Sequence, residues 1–469
     1  DSESIANYKK DLLDQSFRDS VSTISKEGNR NYVNPQKPNG RLYRLRSYFS
    51  YFYLILSFTL PFIKVEGEPI FLFNVLERKF IFFSKIFWPQ DFFIFAIGFL
   101  TFIVFVILFT VGFGRIWCGW ACPQTIFMEM VFRKIEFFID GDANQQKQLK
   151  AMPWNTEKLF KRGSKIIVFF SLSFLIANFF LGYIIGMDEV IKLVKEGIFV
   201  NFGTFSALVI FTLVFFFVYY WFREQACIIV CPYGRLQGVL LDRNSILVAY
   251  DYVRGEPRGK LSETATEKGD CVNCHACVRV CPTGIDIRNG TQLECVNCTA
   301  CIDACDEIMD HVNKPKGLIR YASENGIASK QKMTYSWRLK MYTIVLTLLL
   351  SFLAILLITR ADIAARILRT PGQTYQLLEN NKISNLYNIK LVNKTRKNIH
   401  LDIKLENIEG EIKQVSPVDV PKESYFQTSF FITLKNEQLK ARKTKIKIGL
   451  YENGHKVDVL TAVFLGPSI

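Results

Sequence analysis

Histidine is scarce in this chain: four in 469 residues, at positions 275, 311, 400 and 455, with none inside a long apolar run. A haem b held between membrane helices needs histidine ligands, so the apolar segments exclude that cofactor. Cysteine is missing before Cys118 and after Cys305. Residues 1–40 lack an apolar core ahead of a small-residue cleavage site, so no cleavable signal peptide is expected. Charge is missing from Phe92–Phe113, Ile166–Met187 and Gly203–Phe222, and Leu339–Ile358 carries only Lys340 near its start.

These four runs each approach the ~20 residues that carry a helix across ~30 Å of hydrocarbon. A shorter run, Tyr48–Ile63, contains Pro61 and is the fifth expected span. Soluble helices of such length need a polar face, which these lack. With 49% hydrophobic and 14% aromatic residues, the chain reads as a membrane protein crossing five times. The net charge of +15 is concentrated beside the spans, which argues against a nucleic-acid partner.

The basic residues also orient the chain. Arg41, Arg44 and Arg46 precede the first span, and the connection 114–165 carries nine Lys or Arg, against four in 64–91 and two in 188–202. The positive-inside bias puts the N-terminus, 114–165 and 223–338 in the cytoplasm, and the tail after 358 outside, in a periplasm if the cell has one. Arg360, Arg366 and Arg369 on the far side of the last span run against that bias. All 12 cysteines then lie on the cytoplasmic side, where disulfides are disfavoured, so they read as metal or redox ligands.

The organisation follows. Residues 1–40 form a polar tail, and 41–245 a membrane domain of four helices in which two helix pairs each end in a CxxxCP element. Residues 246–335 are a cytoplasmic cysteine-rich module, 336–360 the fifth helix, and 370–469 a periplasmic domain. Each span pair meets its first cysteine five residues on, Phe113 to Cys118 and Phe222 to Cys227, which suggests an internal repeat. In the last domain Tyr387, Ile389 and Leu391, then Ile399 to Leu405, then Ile446 to Leu450 alternate with polar residues, and Asn453-Gly454 precedes Val457–Phe464 as a hairpin signal. About seven short strands over about 95 residues suggest an immunoglobulin-like β-sandwich without its cysteines. The fold class expected is therefore a five-helix transmembrane domain with an inserted ferredoxin module and a C-terminal all-β sandwich.

Cys271, Cys274, Cys277 and Cys281-Pro282 follow the spacing C-x2-C-x2-C-x3-C-P, and Cys295, Cys298, Cys301 and Cys305 repeat it. Three thiolates so spaced wrap three corners of one [4Fe-4S] cube while the fourth reaches its neighbour. The expected assignment is crossed: Cys271, Cys274, Cys277 and Cys305 on one cluster, Cys295, Cys298, Cys301 and Cys281 on the other. Zinc sites draw two ligands from each short motif rather than four. Asp306 stands where a bacterial ferredoxin has proline, and His275 is expected to hydrogen-bond rather than ligate.

In the CxxxCP pairs, Pro123 and Pro232 are placed to begin helices, leaving Cys122 and Cys231 at N-termini that favour thiolate. Residues 124–138 read as an interfacial amphipathic helix, with Met128 and Met130 as apolar filler. Cys118, Cys122, Cys227 and Cys231 suit copper, as substrate or bound ion; zinc, a further iron-sulfur centre, or plain packing of small hydrophobes are the other readings.

The strings GRIWCGWACPQTIF (114–127), REQACIIVCPYGRLQ (223–237), VAYDYVRGEPRG (248–259), the eight-cysteine module and DEIMDHVNKPKGLIRYASENG (306–326) resemble, in this order, the cytochrome c oxidase accessory proteins of the FixG/CcoG family. Asp306 belongs to that family-like string. The CxxxCP elements and ferredoxin module alone are similar to membrane ferredoxins serving periplasmic nitrate and nitrous oxide reductases. The resemblance implies assembly of cbb3-type oxidase with reduction of Cu(II) to Cu(I), two [4Fe-4S] clusters on the eight cysteines, and copper at Cys118, Cys122, Cys227 and Cys231. Expected partners are copper ions, oxidase assembly factors or subunits, a cytoplasmic electron donor and the lipid bilayer, with a homodimer left open. A quinol-linked conduit to a periplasmic reductase and a non-enzymatic assembly scaffold are the rival readings.

Overall fold

The computed structural model describes residues 23, 24, 27, 29–65, 67–75, 79–82, 85–88, 91–197, 200, 202–260, 268–330, 337–370, 374–378, 381–439 and 441–467. They fall into two compact units, one of residues up to Phe62 with Ile97–Ser351, the other of Ile63–Ala96 with Phe352–Ile469.

Among the described residues, four helices are long and apolar enough to cross a bilayer: Phe92–Phe113, Thr156–Ile185, Phe202–Phe222 and Trp337–Ile358. Together they mark a membrane protein. The fifth expected span is a helix, Arg41–Thr59, but it opens on charged turns and tightens into a 3₁₀ turn at Leu60–Phe62 around Pro61. Its apolar stretch is correspondingly short, and it falls outside the four.

In the first unit, much of the segment after Pro123 packs inside the protein, although Phe138 near its end is 91% exposed. Its apolar residues Ile126, Phe127, Met128, Met130 and Phe132 are buried, with Phe132 stacked on Tyr219 at 4.4 Å and edge-on to Phe169 at 4.9 Å. The charged face is buried as well. Arg133 and Glu136 are 2% and 3% exposed, because Glu136 binds Lys165 and Arg223, and Arg133 pairs with Glu129 at 3.1 Å. Internal pairing of the polar face removed the reason for it to seek water.

The cysteine-rich module belongs to the same unit. Strands Leu247–Tyr250 and Ile319–Ala322 pair antiparallel as its floor, and short helices Ala276–Arg279 and Ala300–His311 follow the two cysteine loops. Asp303 ties it to helix Arg41–Thr59 by accepting from the orphan N–H groups of Leu42 and Tyr43 at 3.1 and 2.7 Å.

The second unit is a β-sandwich. One sheet contains Ile363–Arg369, Lys382–Asn393, Tyr425–Lys435 and Glu411–Gln414, the other Asp402–Leu405, Lys443–Glu452 and His455–Leu465. The alternating residues of the sequence fill the core: Tyr387, Ile389, Leu391, Ile446, Ile448 and Leu450 are all buried. Asn453 and Gly454 turn the last hairpin with φ of 48° and 84°, as an Asn-Gly type I′ turn requires. The connection 64–91, which the sequence pattern left plain, adds a small sheet of Leu72–Asn74, Lys79–Phe82 and Lys85–Phe87 to this unit. Asp91 beside it is buried between Arg360 and Lys394 at 2.7 and 2.6 Å. Arg360, which ran against the charge bias, is thereby accounted for.

Candidate metal centres

The two CxxxCP elements begin and end alike, although Ile116–Trp120 is α-helical and Ala226–Val230 π-helical. Each span end is followed by a residue of positive φ, Gly114 at 56° and Arg223 at 50°, four residues before the first cysteine. In each, the second cysteine donates its N–H five residues back, Cys122 to Trp117 O and Cys231 to Ala226 O, both at 2.9 Å. Such wide turns recur at functional sites. Cys122 (φ −65°, ψ 124°) and Cys231 (φ −64°, ψ 110°) then start helical segments with proline at the first position. At Gly114 a Cβ would meet Leu247 and the Ile246 carbonyl at 2.5 and 2.6 Å, so the first copy requires glycine. Arg223 has a matching positive φ and sends its guanidinium to Glu136.

This repeat brings the four thiols together. Burial pushes Cys118 up to about 11, with Cys122 and Cys231 near enough to add to the rise. Cys227 is pushed up to about 12, by burial and then by Cys122, Cys118 and Cys231. The Cys118 thiol donates to Gln237 Oε1 at 3.0 Å, and the same oxygen accepts from Arg115 Nε at 3.2 Å. Gly234 makes room, since a Cβ there would stand 2.9 Å from the Arg115 guanidinium. Among the described residues no three His, Cys, Asp or Glu side chains close on a single point as a mononuclear site would have them.

The eight-cysteine module has its own repeat. Asn273 and His275 in the first loop, Asn297 and Thr299 in the second, all have φ between 52° and 67°. Two small cavities lie inside, both lined by Cys277. Cys271, Cys274, Cys277 and Cys305 line one; Cys281, Cys295, Cys298 and Cys301 line the other. The donor set fits iron-sulfur cubes: four thiols line each cavity, and burial pushes Cys277, Cys295 and Cys305 up to about 12. A cationic cluster offsets that penalty by binding the thiolates. His275 Nδ1 lies 2.8 Å from Arg288, and Asp306 accepts from the Gly317 N–H at 2.9 Å.

The second cavity adjoins the first CxxxCP element. A Cβ on Gly119 would meet the carbonyl oxygens of Asn297 and Val296 at 2.5 and 2.6 Å. Trp120 Nε1 donates to the Tyr321 hydroxyl at 3.0 Å, and that hydroxyl donates to Asn297 O at 3.3 Å. Arg115 donates to Leu293 O, two residues before Cys295. Sequence reasoning did not single out Gly119, Trp120, Arg115, Gln237 or Tyr321. Four of them lie in the quoted CxxxCP strings, but only the fold shows that they face the cysteine loop.

Fold and site define a membrane-bound iron-sulfur protein of ferredoxin type, with an electron-transfer role. Residues 222–324 match a family described as a 4Fe-4S dicluster domain, 94–140 one described as a 4Fe-4S binding domain, and 353–467 the Ig-like fold at the C-terminus of FixG. The chain belongs to the FixG family. It is 33% identical over 402 residues to Protein RdxB of Cereibacter sphaeroides, covering 80% of this chain and 82% of that one. It is also 33% identical over 319 residues to Nitrogen fixation protein FixG of Rhizobium meliloti, a match spanning 66% of this chain and 60% of that protein's length. A crystal structure of a FixG-related protein from Vibrio parahaemolyticus aligns with 23% of this chain and 97% of its own, at 17% identity and TM-score 0.20.

Proposed function

We propose that the chain is a cupric reductase of the bacterial inner membrane, supplying Cu(I) for assembly of a cbb3-type oxidase. The observation that carries this reading is the pair of repeat-related CxxxCP thiol pairs, near enough to influence one another's ionisation, with the first pair packed beside the second cysteine-lined cavity. Cys271, Cys274, Cys277 and Cys305 would hold one [4Fe-4S] cluster, and Cys281, Cys295, Cys298 and Cys301 the other. When bound, such clusters supply one-electron transfer.

Copper enters as substrate. Cu(II) takes one electron, ultimately from a cytoplasmic donor, and leaves as Cu(I), the ion that thiolates prefer. Cys118, Cys122, Cys227 and Cys231 bind it, Gln237 and Arg115 orient Cys118, and Gly119 keeps the binding loop against Val296 and Asn297. The charge bias places these cysteines in the cytoplasm and the sandwich in the periplasm, with Arg41–Thr59 as a fifth crossing.

A second reading has a specific observation behind it. The family match over 94–140 is described as 4Fe-4S binding and contains Cys118 and Cys122. In that reading the four thiols hold a further cluster. Anaerobic iron and copper analysis with EPR, on wild type and on the Cys118, Cys122, Cys227 and Cys231 serine variants, separates the two. The copper reading expects unchanged iron and lost copper binding; loss of about four irons per chain establishes the further cluster instead.

A further inference from the structure

Each CxxxCP element is tied to a loop that carries ligands for the same cluster site. The first is tied directly: Gly119, between Cys118 and Cys122, lies against the carbonyls of Val296 and Asn297, which stand between Cys295 and Cys298. The second is tied through another segment. Residues 30–36, in the polar stretch ahead of helix Arg41–Thr59, run from the turn before Cys227 to the loop that holds Cys281.

At the first end Arg30 is clamped. Its guanidinium donates to Glu224 Oε1 at 3.3 Å and to Phe222 O at 3.4 Å, and it sits over the rings of Tyr32 and Trp221, 4.0 and 4.9 Å from their centroids. Glu224 is 5% exposed, and its other cation, Arg133, stands back at 3.7 Å. A buried carboxylate depends on its partners, so Arg30 fixes the place of Glu224. The Glu224 carbonyl in turn accepts from the N–H groups of Cys227 and Ile228 at 3.1 and 3.2 Å.

At the other end the Gln36 N–H donates to Arg279 O at 2.8 Å. Val33 packs on Gly284, where a Cβ would meet its side chain at 3.1 Å. Arg279 and Gly284 flank Cys281, whose carbonyl accepts from the Gly284 N–H at 3.2 Å. Pro35, buried between the two ends, has a ring-fixed φ that stiffens the segment. The other cluster site, on Cys271, Cys274, Cys277 and Cys305, has exposed His275 on its wall.

We infer that residues 30–36 are a positioning strap that holds the second CxxxCP pair to the site of Cys281, Cys295, Cys298 and Cys301, which makes that site the electron exit for both pairs. One-electron transfer weakens steeply with separation, so donor and acceptor must be kept at a fixed spacing. The Gly119 contact sets it for Cys118 and Cys122, and the strap sets it for Cys227 and Cys231. One electron leaves the cluster site and one Cu(II) becomes Cu(I), with no proton moved. Copper as the acceptor rests on the proposed function; the strap stands on the contacts alone.

Hydrogen exchange of the full, cluster-loaded chain in detergent tests the strap. Arg30→Gln loosens one end, and Gln36→Pro removes the N–H bonded to Arg279 at the other. Each is expected to speed exchange severalfold at the opposite end, Arg30→Gln in 279–284 and Gln36→Pro in 226–231, with iron content unchanged. Arg30→Lys keeps the charge and should restore most of the protection. In anaerobic single-turnover mixing with Cu(II), Arg30→Gln and Gln36→Pro should slow cluster reoxidation at least fivefold while EPR midpoint potentials hold. Exchange that rises only beside the substituted residue, or reoxidation at the wild-type rate, would overturn the inference. If wild type itself forms no Cu(I), the copper reading fails and the crossed exchange alone decides the strap.

Discussion

Arg46 is 3% exposed, and its charge acts on Cys298, lowering that thiol against the rise that burial imposes. A positive charge beside a cluster stabilises its reduced form. Arg46→Gln should therefore lower the potential of the cluster on Cys298, by roughly tens of millivolts, in EPR-monitored redox titration. A potential that rises or stays fixed contradicts the assignment. Ligand crossing has its own test at this scale: Cys305→Ser should alter the same EPR signal as Cys271→Ser, and Cys281→Ser the same signal as Cys295→Ser. Gly119→Ala is expected to cost about 1–3 kcal/mol, because its Cβ meets backbone that has little room to move. Thermal unfolding in detergent measures that cost.

Between elements, the ion pairs of Glu136 hold the helix after Pro123 against Thr156–Ile185 and the Arg223 turn. Burial by itself would raise the Glu136 carboxyl, but Arg223, Lys165 and Arg133 overcome it and hold the group at about 2, against an ordinary 4.5. Its folded value is the depressed one, so the stabilisation is complete above about 4.5 and is lost as pH falls through about 2. Melting temperature should fall across that window in wild type and fall less in Glu136→Gln. The same substitution at neutral pH should cost about 3–5 kcal/mol, because it leaves buried cations unmatched. The sequence showed an amphipathic pattern here and nothing of the pairing, since Glu136, Lys165 and Arg223 are far apart in the chain. Short-range patterns were legible: the Asn453-Gly454 turn, the alternation at Tyr387 to Leu391, and the two cysteine spacings each need only neighbouring residues. Gly119 against Asn297, or Asp303 capping Arg41–Thr59, depends on tertiary packing that no local pattern encodes.

For the molecule as a whole, the central claim is that electrons leave through Cys118, Cys122, Cys227 and Cys231 to copper. A reporter fused after Ile469 should be active only in the periplasm if the charge bias orients the chain correctly. The most direct test of the claim itself is anaerobic mixing of dithionite-reduced, reductant-free protein with Cu(II). Cluster reoxidation is followed by absorbance and Cu(I) by a chelating dye. The account predicts one Cu(I) formed per electron lost, and no Cu(I) when all four CxxxCP cysteines are serine although both clusters remain reducible. Reoxidation without Cu(I), or the same yield from the serine variant, would contradict it.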